Sequence, residues 1–274
     1  MSENRCSGSK AVHVARAIAQ QLTAIPEVQA VALSGSRTSP FANAESDLDL
    51  YAYATEMVPV ERRLPLSRTA IRAEMGNAFW EPGDEWIDAE AGLTVDVMYR
   101  TTSWIEAQLT RVLDRHEASI GYSTCFWYNV RHSKILFDRL GWLARLQRRT
   151  HCSYPEELKR AIVAKNYPLL RRKLSSYYEQ IEKAIARHDP VSVNHRVTAL
   201  LASYFDILFA INEQPHPGEK RVLQFAECLC SRQPSNLKEN IGKIVSESPS
   251  RAILGPIGSL LDGLEELLWQ DHLI

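Results

Sequence analysis

Three carboxylates and a glycine-serine turn hold the chemistry legible in this chain. Asp47 and Asp49 stand two residues apart, with Leu48 between them and Leu50 after. Strand side chains alternate faces, so both carboxylates point one way while the leucines point into the core. Like charges side by side favour a proton or a cation. A divalent metal removes that conflict, and Mg²⁺ is commonly held by one or two carboxylates plus substrate phosphates. Upstream, the apolar run from Val31 to Leu33 ends in Ser34, Gly35 and Ser36. Gly35 lets backbone N–H groups approach an anion closely, and the two serine hydroxyls add donors. A third acid, Asp96, lies inside the alternating segment Leu93 to Tyr99.

These positions need strands to carry them. Residues 28–34 read as a first buried strand, Asp47 to Ala54 as a second, and 93–99 as a third. A helix is expected over 10–24 and another within 58–76, through Ile71 and Met75, with 77–92 irregular. Beyond residue 100 the pattern is helical. Trp104, Ile105, Leu109, Val112 and Leu113 form one stripe. A long helix spans roughly 158–185 and should kink or split at Pro168. Further helices are expected over 191–211, after Asp189 and Pro190, and from Leu260 to Trp269, with a turn at 214–218 between them. Strands followed by helices predict an α+β chain in two parts, 1–115 and 116–274.

The bulk properties exclude several classes. The 274 residues are 45% apolar and 24% charged, with a formal net charge of -1. That is ordinary for a soluble globular protein and lacks the basic excess common in nucleic-acid binders. Five cysteines in no framework spacing suit reduced thiols in the cytoplasm, the expected compartment. Cys228 and Cys230 lack zinc-site spacing and read as buried packing. The polar N-terminus does not read as a signal peptide, and no apolar run reaches the length of a membrane span. Walker-type, dinucleotide-binding, zinc-protease and nucleophile-elbow motifs are missing.

Ser34-Gly35-Ser36, then Asp47-Leu48-Asp49, then Asp96, together resemble the nucleotidyltransferase superfamily typified by DNA polymerase beta. Within it the chain is similar to antibiotic nucleotidyltransferases, such as those acting on kanamycin, streptomycin and lincosamides. The specific resemblance covers roughly residues 28–100. A weaker one, around Phe209 to Asn212 and Pro217 to Lys220, is to helical domains found beside such catalytic domains. The resemblance implies a small mixed-sheet catalytic domain followed by an all-helical acceptor domain. It implies that Gly35 and Ser36 hold the β- and γ-phosphates of a nucleoside triphosphate, with Ser34 and Arg37 counted among the nucleotide-binding residues. Lys220 reads equally as a group reaching the triphosphate from the helical part or as a surface lysine. The resemblance implies Mg²⁺, in a two-metal site, on Asp47, Asp49 and Asp96. Asp96 either completes that site or acts as base for the incoming hydroxyl. The base in several relatives is a Glu, and Glu90 is nearby, but alternation between Val95 and Val97 favours Asp96. The implied reaction moves a nucleoside monophosphate, AMP from ATP, onto a hydroxyl of a small molecule and releases pyrophosphate. Two metal ions about 3.5–4 Å apart can stabilise both attacking and leaving oxygens in such a displacement. The alternatives are nucleotidylation of RNA or protein, and a non-catalytic nucleotide-binding module.

Other features have competing readings. Glu81, Asp84, Glu85, Asp88, Glu90 and Asp96 form an acidic window, either a rim for a cationic acceptor or a solvated loop. The basic residues from Arg145 to Lys173 read as a solvated helix face more readily than as an RNA contact. Trp80, Trp86, Tyr99, Trp104, Trp127 and Tyr128 line either an acceptor pocket or, for most of them, the core. His116, His132 and His195 lack metal-ligand spacing. Several relatives pair as homodimers, although no residue here demands it.

Overall fold

The structure is a computed structural model. It describes residues 2–41, 46–79 and 81–274, with side chains from residue 10 onward. The chain divides into two compact units, Met1–Leu109 with Asn129–Cys152, and Thr110–Tyr128 with Ser153–Ile274.

The first unit is built on a six-stranded mixed sheet. Its elements are α1 (Ser2–Thr23), β1 (Val28–Leu33), β2 (Leu48–Ala54), α2 (Val60–Arg63), β3 (Ala70–Asn77), β4 (Gly83–Asp88), β5 (Thr94–Thr101), α3 (Thr102–Leu113), α4 (Cys125–His132), β6 (Lys134–Asp138) and α5 (Trp142–Thr150). The last residues of α3 and the first of α4 fall in the second unit. Strand order is β3-β4-β5-β2-β1-β6, with β2 and β5 parallel at the centre and every other pair antiparallel. Ala15, Ile18, Ala19 and Leu22 of α1 form the apolar stripe that covers one face of the sheet. Beneath them lie Val31, Leu33, Leu48, Leu50, Ala52, Val95, Val97 and Tyr99. Leu48 pairs with Val95 and Leu50 with Val97. The residues between them, Asp49 and Asp96, therefore share the opposite face.

Two expectations within the first hundred residues needed correction, and beyond them the helical pattern is interrupted by β6. Ala70–Asn77 is a strand, not the end of a helix. Ile71 and Met75 are four apart, a spacing that fits one helical turn and two strand repeats equally. The segment is mostly exposed, so no burial pattern separates the two. Residues 83–88, expected to be irregular, are β4. Its acids masked it, because Asp84 is wholly buried as the ion-pair partner of Arg63 at 3.1 Å. Asp84 also accepts from the Gly76 backbone N–H at 2.7 Å.

The second unit is helical: α6 (Glu156–Leu170), α7 (Tyr177–Ala186), α8 (Pro190–Ile211), α9 (Val222–Leu229), α10 (Leu237–Glu247) and α11 (Leu254–Gln270). The long helix expected over 158–185 splits as foreseen, two residues past Pro168. Asp189 caps α8 by accepting from Ser192 N at 3.1 Å, with Pro190 in the first turn. The connection into α4 is held by buried polar groups. Asp206 of α8 accepts from the Ser123 backbone N–H at 2.9 Å and its hydroxyl at 2.6 Å, while Asn166 of α6 accepts from Gly121 N at 3.0 Å. The chain is thus α+β, with a mixed sheet followed by helices. No helix among the described residues is long and apolar enough to cross a membrane.

Candidate active site

The turn after β1 is shaped around a glycine. Ser34 N donates to the Asp49 carbonyl at 2.9 Å, and the chain then winds into a 3-10 turn, Gly35–Thr38. Gly35 has φ +64°, the left-handed region. A Cβ there would stand 2.6 Å from Cγ of Asp49 and closer still to Oδ2. Glycine is thus required twice, by conformation and by the carboxylate packed over it. The Thr38 hydroxyl donates to the Gly35 carbonyl at 3.0 Å and that of Ser39 to the Ser36 carbonyl at 2.8 Å, closing the turn on itself. Ser34 is only 2% exposed, and its hydroxyl accepts from Asn129 Nδ2 at 3.0 Å. It anchors the turn, while Gly35 is exposed and Ser36 half-buried.

The carboxylates follow from strand register. Asp49 and Asp96 are partners in the parallel β2–β5 ladder. Asp47 is exposed and lies just before β2. Among the described residues no three His, Cys, Asp or Glu side chains are gathered into a ready metal-holding group. The chain offers a cation two adjacent carboxylates, with Asp47 two residues upstream. The row continues outward, as Asp96 pairs with Glu85 on β4 and Glu85 with Glu74 on β3. Glu90 lies outside this ladder, in the β4–β5 turn, where its N–H donates to Asp88 Oδ1 at 3.1 Å.

Two arginines frame the site. Arg37 clasps the connection into β2, Nε donating to the Asp47 carbonyl at 3.0 Å and Nη2 to that of Ser46. Partial burial lowers its pKa, against the opposing charges of Asp47 and Asp49. Arg100, on the same face of β5 as Asp96, is 6% exposed and bidentate to Glu81 at 2.7 and 2.8 Å. Its guanidinium lies 4.0 Å from the centre of the Tyr51 ring. Burial opposes its charge, but the Glu81 hydrogen bonds and the neighbouring Tyr51 and Tyr53 raise its pKa above the ordinary value. Burial raises the Tyr53 phenol to about 12, so it stays protonated.

The secondary candidates are mostly structural. Trp86, Tyr99 and Trp127 are buried, Tyr128 is half-buried, Trp104 is partly exposed, and Trp80 lies outside the described residues. In the acidic window, Glu81 and Asp84 pair with arginines, and Asp88 caps a turn. Lys159, Arg160, Arg171 and Arg172 of the basic segment form ion pairs with Glu156, Glu213, Asp262 and Glu265. Lys220 is exposed in the second unit. Cys230 is buried as expected, which lifts its thiol to about 12, whereas Cys228 is exposed. Sequence reasoning missed Asn129, which carries no motif and arrives from a helix far along the chain.

No family model and no curated protein matches this chain. Among solved structures, a nucleotidyltransferase-like protein from Exiguobacterium sibiricum is similar. It is 15% identical, with a TM-score of 0.43, over 94% of this chain and 74% of that one. A likeness at that level assigns neither chemistry nor substrate.

Proposed function

We propose that this protein is a nucleotidyltransferase, moving AMP from ATP to a hydroxyl of a small molecule and releasing pyrophosphate. One observation carries the reading. Asp49 packs over a Gly35 that has no room for a side chain, and Asp96 lies beside it in register. A glycine turn packed under Asp49, with Asp96 beside that carboxylate in register, supports a site of hard oxygen donors, the donor type Mg²⁺ takes. Asp49 and Asp96, with the exposed Asp47 two residues upstream, would hold the ion. When bound, Mg²⁺ supplies charge neutralisation on the phosphates and acidifies the attacking hydroxyl. Backbone N–H groups of the Gly35–Thr38 turn and the Ser36 hydroxyl would orient the triphosphate tail. Asp96, fixed in the ladder, is better placed than Glu90 to receive the acceptor proton.

The test is transfer itself. The full chain, incubated with isotopically labelled ATP, Mg²⁺ and pooled small-molecule acceptors, should release pyrophosphate and yield an acceptor heavier by one AMP. Asp49→Asn should abolish both while leaving the fold intact. Label appearing on RNA or on protein instead would replace the small-molecule reading. Persistent transfer by Asp49→Asn would refute the site.

A further inference from the structure

Asn129, on α4, donates from one amide nitrogen to two hydroxyls, Ser34 Oγ at 3.0 Å and Tyr51 Oη at 3.1 Å. Ser34 opens the turn. Tyr51 stands two residues beyond Asp49 on β2, on the same face. A single side chain thus spans from the phosphate turn to the strand of the carboxylate. An amide NH₂ only donates, so both hydroxyls accept here, and each keeps its own proton for another acceptor. The amide oxygen of Asn129 is buried with no hydrogen-bond partner among the described residues. A buried acceptor left unmet opposes folding. An apolar side chain of similar size would remove that unmet oxygen but leave the buried Ser34 hydroxyl without its donor.

We propose that Asn129 is a positioning residue of the nucleotide site, holding the phosphate turn in register with the strand that carries Asp49. The inference rests on the nucleotidyltransferase reading. Its force lies in the close packing of Asp49 on Gly35, where a small shift of the turn separates phosphate donors from the carboxylates. Displacements near 1 Å at such sites are enough to lose most of the benefit of positioning.

The probe is inorganic tripolyphosphate with Mg²⁺, titrated calorimetrically into the full chain. Asn129→Leu should weaken binding about tenfold, the size expected for losing a hydrogen-bonded tie. Its thermal midpoint should change little, because the unmet buried oxygen goes while the Ser34 hydroxyl loses its donor. A purely structural role would lower the midpoint and spare the affinity. Ser34→Ala should weaken binding as well, and the double variant should lose no more than Asn129→Leu alone, since both break one tie. Wild-type affinity in Asn129→Leu, a fallen midpoint with affinity kept, or fully additive losses would overturn the proposal. Asp49→Asn, titrated in parallel, separates the failures. If it loses tripolyphosphate and Asn129→Leu does not, only the role of Asn129 falls. If wild type takes no tripolyphosphate, or Asp49→Asn binds as wild type does, the nucleotide site falls with it.

Discussion

Gly35 is the most constrained residue of the site, because its conformation and its neighbour both forbid a side chain. Gly35→Ala should destabilise the chain by about 1–3 kcal/mol, the range for strained backbone. It should also weaken MgATP binding, since the added methyl displaces the Asp49 carboxylate. Chemical denaturation and calorimetry check the two effects separately. The need for glycine here was readable in advance, as a tight turn between two apolar strands calls for one. Asn129 was not, because a hydrogen bond across 95 positions leaves no local pattern. Ser34 fell between the two: the type was right for a donor, but its burial came only with the fold.

At the scale of elements, the central ladder sets like charges beside one another from Asp49 through Asp96 to Glu85. Directly opposed like charges weaken a sheet by about 0.2–1 kcal/mol per pair. Glu85→Gln should therefore stabilise the protein by that amount in low salt. The gain should shrink in 1 M salt, as denaturant titrations at both ionic strengths would show. The acids of 81–96 were visible in the sequence, but which of them faced Asp96 depended on the β4–β5 register, and residues 83–88 did not read as a strand.

The helical elements carry a pH signature. Burial raises the Asp206 carboxyl from 3.8 to about 7, with the Ser123 hydrogen bonds and Arg111 pulling the other way. Burial lowers the His216 imidazole from 6.5 to about 3. Between about 4 and 7 the folded chain holds an Asp206 proton that the unfolded chain lacks, so that group lowers stability as pH rises. Between about 3 and 6.5 the unfolded chain holds the His216 proton, so that group raises stability as pH rises. Their effects cancel from about 4 to 6.5. Asp206→Asn should unmask a stability that climbs with pH there, by about 1.4 kcal/mol per unit. His216→Phe should unmask the opposite slope. Thermal melts across this range check both signs.

For the whole molecule, an early sheet and later helices were legible from the change of period. The return of Asn129–Cys152 to the sheet unit was not, because β6 is a five-residue edge strand with no buried residue to mark it. That return matters for folding. A fragment of residues 1–115 would lack β6 and leave the buried β1 as an open apolar edge, a template for aggregation. It should appear as large species by light scattering, whereas the full chain should not. On the proposed function, the neighbouring carboxylates of β2 and β5 hold a cation together with a triphosphate. Calorimetric titration of ATP into the wild type, Asp49→Asn and Asp96→Asn, each with and without Mg²⁺, tests this most directly. The account predicts binding by the wild type that needs Mg²⁺ and is lost in both variants. Binding that ignores Mg²⁺, or that survives in both variants, would contradict it.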